Sequence, residues 1–165
     1  MQDDPQVPDE GQDPASTLHT RQVKDPARAL KTAMLAYITV NAVVGLPLLA
    51  FPVSFLDTVG FDRIVATQLG GIRWVGAVLV AWAVGSSLVI AQPEGRATLV
   101  TTGALQMTFA AFTFLWTLST GEKWGSSAFH LGLLGLFSAT ALVMWAARFR
   151  ARKVFKGAAG SPNPG

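Results

Sequence analysis

Four long stretches without a charged residue constrain this chain more than any other feature of its sequence. These stretches cover residues 32–56, 74–93, 97–121 and 124–147. An α-helix needs about 20 consecutive apolar residues to cross the hydrocarbon core of a bilayer, and each stretch is at least that long. The sequence therefore predicts four transmembrane helices. Their expected limits are about residues 30–50, 67–91, 97–118 and 126–147.

The charged residues are concentrated at the two ends of the chain. Of the 23 Asp, Glu, Lys and Arg residues, 14 lie in the first 29 or the last 18 positions, which leaves nine for residues 30–147. Nine charges cannot cover a water-soluble surface of 118 residues, so this region is expected to face lipid. The composition excludes a soluble enzyme and a nucleic-acid binder. With no cysteine in the chain, thiol catalysis and cysteine-based metal sites are excluded too.

The distribution of Lys and Arg predicts the orientation of the four helices. If both termini are cytoplasmic, ten basic residues lie inside and three lie outside, in agreement with the positive-inside rule. The sequence opens Met-Gln-Asp-Asp-Pro, without the basic first segment of a cleavable signal peptide, so we expect the first apolar run to remain as an anchor. The prediction is an all-α, antiparallel bundle of four helices with an N-in/C-in topology.

The three connectors differ in character. Residues 92–95 and 119–125 form short turns, which predict that the helices they join are antiparallel neighbours. The first connector places Phe55, Leu56 and Val59 on one face, with Gly60 at the position of a C-terminal cap. We expect a short amphipathic helix at about residues 52–60, lying in the outer interface. An irregular loop is the alternative.

The two tails are expected to lie outside the bundle. Residues 1–29 begin with a proline-containing acidic segment that lacks apolar residues to bury, which predicts disorder, and then become basic. Residues 148–165 form a flexible basic tail that can rest on anionic lipid headgroups. The basic residues expected at the headgroups are Arg148, Arg150, Arg152, Lys153 and Lys156.

Small and polar residues recur on one face of each predicted helix. The second helix carries Gly70, Ala77, Ala81 and Gly85, and the fourth carries Ala128, Gly132, Gly135, Ala139 and Ala146. Small residues allow transmembrane helices to approach closely, so these stripes are expected to face the interior of the bundle. Asn41 and Gln106 both lie roughly 14–15 Å from the cytoplasmic side. This midplane polar pair is expected to form a hydrogen bond or to line a small polar cavity.

Arg73 is the most unusual charge, because it belongs to the stripe of the second helix and is expected to face the bundle. An intramembrane arginine costs several kcal/mol unless it is paired, and the counter-charges available are Asp57, Asp62 and Glu122. One interpretation is a salt-bridged or snorkelling arginine. The other is a ligand-binding site for an anion in the outer leaflet. The residues predicted for that site are Arg73, Thr113, Thr117 and His130.

Two segments resemble the DoxX-like group of small four-helix bacterial membrane proteins. They are the Gly-Leu-Pro-Leu-Leu-Ala-Phe-Pro ending of the first helix with the amphipathic segment that follows it, and Leu-Gly-Gly-Ile-Arg-Trp-Val-Gly at residues 69–76. The resemblance covers roughly residues 30–92. It implies a four-helix fold in the inner membrane of a bacterium, and it implies no particular activity.

Two functions agree with these features. The first is a non-enzymatic accessory or scaffold protein that packs with a membrane protein or with a second copy of itself. The second is a binder or transporter of a small anionic or lipid-like molecule at Arg73. No catalytic residues, metal ligands or cofactors are predicted. Ser127 and His130 are close in sequence, but no third group or oxyanion donor accompanies them.

Overall fold

The computed structural model describes residues 26–61, 66–121 and 125–156, and over these ranges the chain is helical, without β-strands. The helices in chain order are α1 (Pro26–Ala50), α2 (Pro52–Thr58), α3 (Leu69–Ala91), α4 (Ala97–Thr120) and α5 (Ser127–Arg150), and a single 3₁₀ turn (Ala66–Gln68) leads into α3. All except the short α2 are long and apolar enough to cross a membrane. The prediction of four helices that are long and apolar enough to span a membrane is confirmed.

The first connector is helical over α2, as one of the two interpretations expected. Leu56 is buried, Phe55 is half-buried, and Asp57 and Thr58 are exposed. Gly60 follows with a φ of +87°, and its N–H donates to the carbonyl of Asp57 at 3.0 Å. This left-handed conformation is costly for residues with a Cβ and explains the glycine at this position.

α1 lies at the centre of the packing. α3 packs along α1, α4 packs along α5, and α1 also contacts α5. On α1, the residues Tyr37, Asn41 and Gly45 are all buried. α3 and α4 share little contact, although a short turn joins them. The expectation that α3 and α4 pack side by side is therefore wrong, because the packing face of α3 is occupied by α1.

α1 and α3 approach closely at Gly45 and Gly76. A Cβ on Gly76 would lie 2.6 Å from the backbone N of Leu49 and 2.8 Å from the carbonyl oxygen of Gly45. A Cβ on Gly45 would lie 2.8 Å from the Cβ of Leu79. These are distances at which atoms overlap, so both glycines are needed for the helices to touch.

The predicted small-residue stripes of α3 and α5 face outward, which corrects the sequence expectation. On α3, Gly70, Ala77 and Ala81 are exposed and Gly85 is half-buried, whereas the buried face contains Gly76, Ala83, Ser86 and Val89. On α5 the entire stripe is exposed: Ala128, Gly132, Gly135, Ala139 and Ala146. The buried face of α5 instead carries larger residues such as His130, Phe137 and Met144. At 100° per residue, each stripe lies roughly opposite the packed face of its helix.

The described ends of the chain also differ from the predicted tails. α1 already begins at Pro26, α5 continues to Arg150, and a 3₁₀ turn follows at Val154–Lys156. Ala151 and Phe155 are buried and belong to the main apolar cluster. Burial of the Phe155 ring thus holds the basic segment against the helices. The remaining parts of both predicted tails lie outside the described residues.

We predict that Gly76→Ala destabilises the protein by about 1–3 kcal/mol, the usual cost of forcing extra volume into a packed contact. The added methyl would meet backbone atoms of α1, which cannot move as a flexible side chain can. Unfolding of the purified protein in detergent micelles measures the change.

Gly85→Ala is the matched control in the same helix, because a Cβ added at Gly85 would have no neighbouring atom within 4 Å. This variant should be at least as stable as the parent, since alanine favours a helix over glycine. Equal losses in the two variants would contradict the close contact between α1 and α3.

Candidate functional site

A buried polar network joins α1 to α4 near the middle of both helices. Gln106 Nε2 donates to Asn41 Oδ1 at 3.2 Å, and the Tyr37 hydroxyl donates to Gln106 Oε1. Asn41 Nδ2 donates to the carbonyl of Tyr37 at 2.9 Å. The structure thus brings Asn41 and Gln106 together as a hydrogen-bonded pair.

Tyr37 is the member of this network that the sequence does not reveal. Its ring packs on Gly103, where a Cβ would lie 3.1 Å from Tyr37 Cζ. Helical spacing puts Tyr37 on the same face as Asn41, but nothing in the sequence indicates that its hydroxyl reaches Gln106. Tyr37, Asn41 and Gln106 find their hydrogen-bond partners within this network, including the backbone carbonyl of Tyr37, which favours a structural role over a binding site.

His130 lies inside an aromatic cluster at the start of α5. Only 3 % of its surface is exposed, and its Nδ1 lies 2.9 Å from the carbonyl oxygen of Ser126. The His130 ring centroid is 6.0 Å from that of Phe114 and 6.1 Å from that of Phe129. Phe137 extends the cluster through Phe114 at 5.6 Å. This histidine is a packed core residue in the structure.

The four residues of the predicted anion site divide into two pairs. Arg73 and Thr113 are exposed, whereas Thr117 and His130 are buried. The expectation that Arg73 faces the bundle is wrong, because it shares the exposed face of α3 with Gly70 and Ala77. α3 packs mainly on α1, so this face is turned away from the other helices.

Of the three acidic residues expected to pair with Arg73, the structure describes one. Asp57 is exposed, and within the described ranges it forms no ion pair with Arg73. Asp62 and Glu122 lie outside the described residues. The choice between a paired arginine and an anion site therefore stays a prediction.

A groove that the sequence does not predict lies where α4 begins and α5 ends. Its volume is about 530 Å³, and its lining combines three basic side chains with aromatic rings. Arg148 Nε donates to Thr101 Oγ1 at 2.9 Å, and the Arg148 guanidinium lies 5.2 Å from the ring centroid of Phe155. We call this site the basic groove. Its lining residues are Ala97, Thr101, Trp145, Arg148, Phe149, Arg152, Phe155 and Lys156.

The sequence contains a partial signal for the basic groove. Arg148, Arg152 and Lys156 are spaced four residues apart, which places them on one face if the helix continues. The return of Phe155 to the turn before α4 completes the groove, and a single apolar residue in a basic segment does not predict that contact.

Comparisons with known proteins found no match among models of protein families, curated proteins or solved structures. The resemblance to the DoxX-like group therefore stays a prediction.

We predict that Gln106→Met lowers the stability of the protein by about 1 kcal/mol, because polar contacts between membrane helices typically contribute about 0.6 kcal/mol each. Methionine keeps the length of the side chain but removes both hydrogen bonds between α1 and α4. Unfolding in detergent micelles provides the measurement. Leu105→Met changes an exposed neighbour and is the control; a Gln106→Met variant as stable as this control would contradict the role of the network.

Proposed function

We propose that this chain is a non-enzymatic integral membrane protein that acts as an accessory or scaffold subunit. It associates within the membrane with a partner protein or with a second copy of itself. We place it in the inner membrane of a bacterium, as a four-helix bundle with both termini in the cytoplasm. The positive-inside distribution of Lys and Arg supports this topology, and the resemblance to the DoxX-like group supports the bacterial membrane.

The outward position of the small-residue stripes carries the proposal. Small residues are used in membranes where one helix must approach another closely. Within the chain, however, α3 and α5 pack through their opposite faces. On the exposed face of α5, a Cβ added at Gly132 or Gly135 would meet no atom within 4 Å. These surfaces can accept a helix that the described part of the chain does not supply.

Arg73 fits the same proposal. It lies on the exposed face of α3, between Gly70 and Ala77, and near the start of the helix. An arginine exposed to hydrocarbon is costly, so it extends toward the interface or is paired by a neighbouring group. A carboxylate on a partner helix would satisfy this charge, and Arg73 would then help to select the partner.

A second candidate function is the binding or transport of a small anionic or lipid-like molecule at Arg73. The exposure of Arg73 favours it, because the guanidinium is accessible from the surface of the chain. Because Thr117 and His130 are buried, a molecule bound at the exposed Arg73 would not contact these two residues directly.

We predict that Ala77→Leu combined with Gly132→Leu abolishes association without unfolding the chain. Both positions are exposed, so the larger side chains disturb only contacts with another molecule. The measurement is quantitative mass spectrometry of proteins copurified from native membranes, together with the oligomeric state of the purified protein. Ala36→Leu combined with Ala50→Leu is the control, since it adds similar bulk at exposed positions of α1.

Arg73→Gln separates the two candidate functions in the same experiment. If Arg73 contacts a partner helix, Arg73→Gln should lose association, as should the variant that combines Ala77→Leu with Gly132→Leu. Loss of a cellular phenotype in Arg73→Gln, with association intact in both variants, would contradict the scaffold proposal and favour the ligand site.

A further inference from the structure

We propose that the basic groove binds the phosphate headgroup of an anionic membrane lipid. This site lies at the opposite end of the helices from Arg73, and the inference does not depend on the scaffold function. It assigns lipid binding to particular basic residues instead of to the whole basic C-terminal segment.

The charge of the groove favours an anion. Arg148, Arg152 and Lys156 all line it, and none of its lining residues is acidic. Across the part of the chain that the structure describes, no carboxylate forms an ion pair with these three residues. Their positive charges are therefore uncompensated by the described protein, and the arginine guanidinium is a fork whose geometry matches the oxygens of a phosphate.

Aromatic rings contact the guanidinium groups of both Arg148 and Arg152, and a threonine hydroxyl also binds Arg148. The Arg148 guanidinium lies over Phe155, and the Arg152 guanidinium lies 5.2 Å from the ring centroid of Phe149. Thr101 accepts its hydrogen bond from Nε of Arg148, which leaves the two Nη groups as the fork that matches phosphate oxygens. Aromatic contacts fix the position of a cation without neutralising it. The arginines are thus ordered before an anion arrives.

The segment that completes the groove is anchored to the rest of the protein. The N–H of Gly95 donates to the carbonyl of Phe155 at 3.2 Å, and the N–H of Phe155 donates to the carbonyl of Ala151 at 3.2 Å. Phe155 itself is 9 % exposed. These contacts join the turn after α5 to the turn before α4, so the groove is part of the fold.

The aromatic side of the groove favours a lipid over free phosphate. Trp145 stacks on Phe149 with ring centroids 5.7 Å apart, and it lies one helical turn farther from the end of α5. Trp145 Nε1 donates to Thr108 Oγ1 at 3.2 Å, as expected for a tryptophan at the membrane interface. The groove thus passes from cations at the helix end to rings nearer the hydrocarbon. A phospholipid has the matching arrangement, with a charged headgroup at the interface and apolar acyl chains in the hydrocarbon.

The test compares two double variants of the full chain with equal changes in charge. Arg152→Gln with Lys156→Gln alters the groove, whereas Arg150→Gln with Lys153→Gln alters basic residues outside its lining. All four side chains are exposed, so both variants should fold, and unfolding in detergent checks this. Native mass spectrometry of the purified protein measures the binding of phosphatidylglycerol and of phosphatidylcholine with the same acyl chains.

We expect the parent to bind phosphatidylglycerol at least tenfold more tightly than phosphatidylcholine. The groove variant should lose about tenfold in affinity for phosphatidylglycerol, and the control variant less than twofold. Equal losses in the two variants would overturn the proposal, because they would indicate a diffuse surface charge. Soluble glycerol phosphate should not displace the lipid at equal concentration; displacement would show that free phosphate, and not a lipid, is the ligand.

Discussion

The packing of this protein depends on close contact between helices in a solvent that does not drive them together. Lipid tails are as apolar as the side chains they surround, so burial of apolar surface gains little inside a bilayer. Close approach and hydrogen bonds must hold the helices instead. α1 supplies both: Gly45 meets Gly76 of α3, and Asn41 and Tyr37 hydrogen-bond Gln106 of α4. These contacts link α1 to α3 through close approach and to α4 through hydrogen bonds.

The positions of the spans follow from the sequence because the length of a membrane helix is set by the bilayer. The predicted limits of α3, α4 and α5 agree with the structure to within a few residues. The packed faces could not be predicted in the same way. α3 has small residues both on its buried face, with Gly76 and Ala83, and on its exposed face, with Gly70 and Ala77. Residue size alone does not distinguish which face meets a helix of the same chain.

At the candidate sites too, features set by helix geometry could be predicted from the sequence, whereas features set by contacts between distant segments could not. The depth of Asn41 and Gln106 follows from the helix rise, which places them at the same level. Arg73 is expected from the sequence to face the bundle because it belongs to the small-residue stripe of α3. That stripe is exposed, so Arg73 is exposed with it. The basic groove needs the return of Phe155 to the turn before α4, a contact between distant segments that no spacing in the sequence specifies.

The scaffold function that we propose requires the exposed stripes of α3 and α5 to contact another protein within the membrane. The most direct test places a photo-crosslinking amino acid in place of Ala81 or Ala139, both exposed on the stripes, or in place of Val43, exposed on α1. After irradiation of native membranes, we expect a discrete protein adduct from the two stripe positions and only lipid adducts from position 43. Lipid adducts alone from all three positions would contradict a partner protein at the stripes.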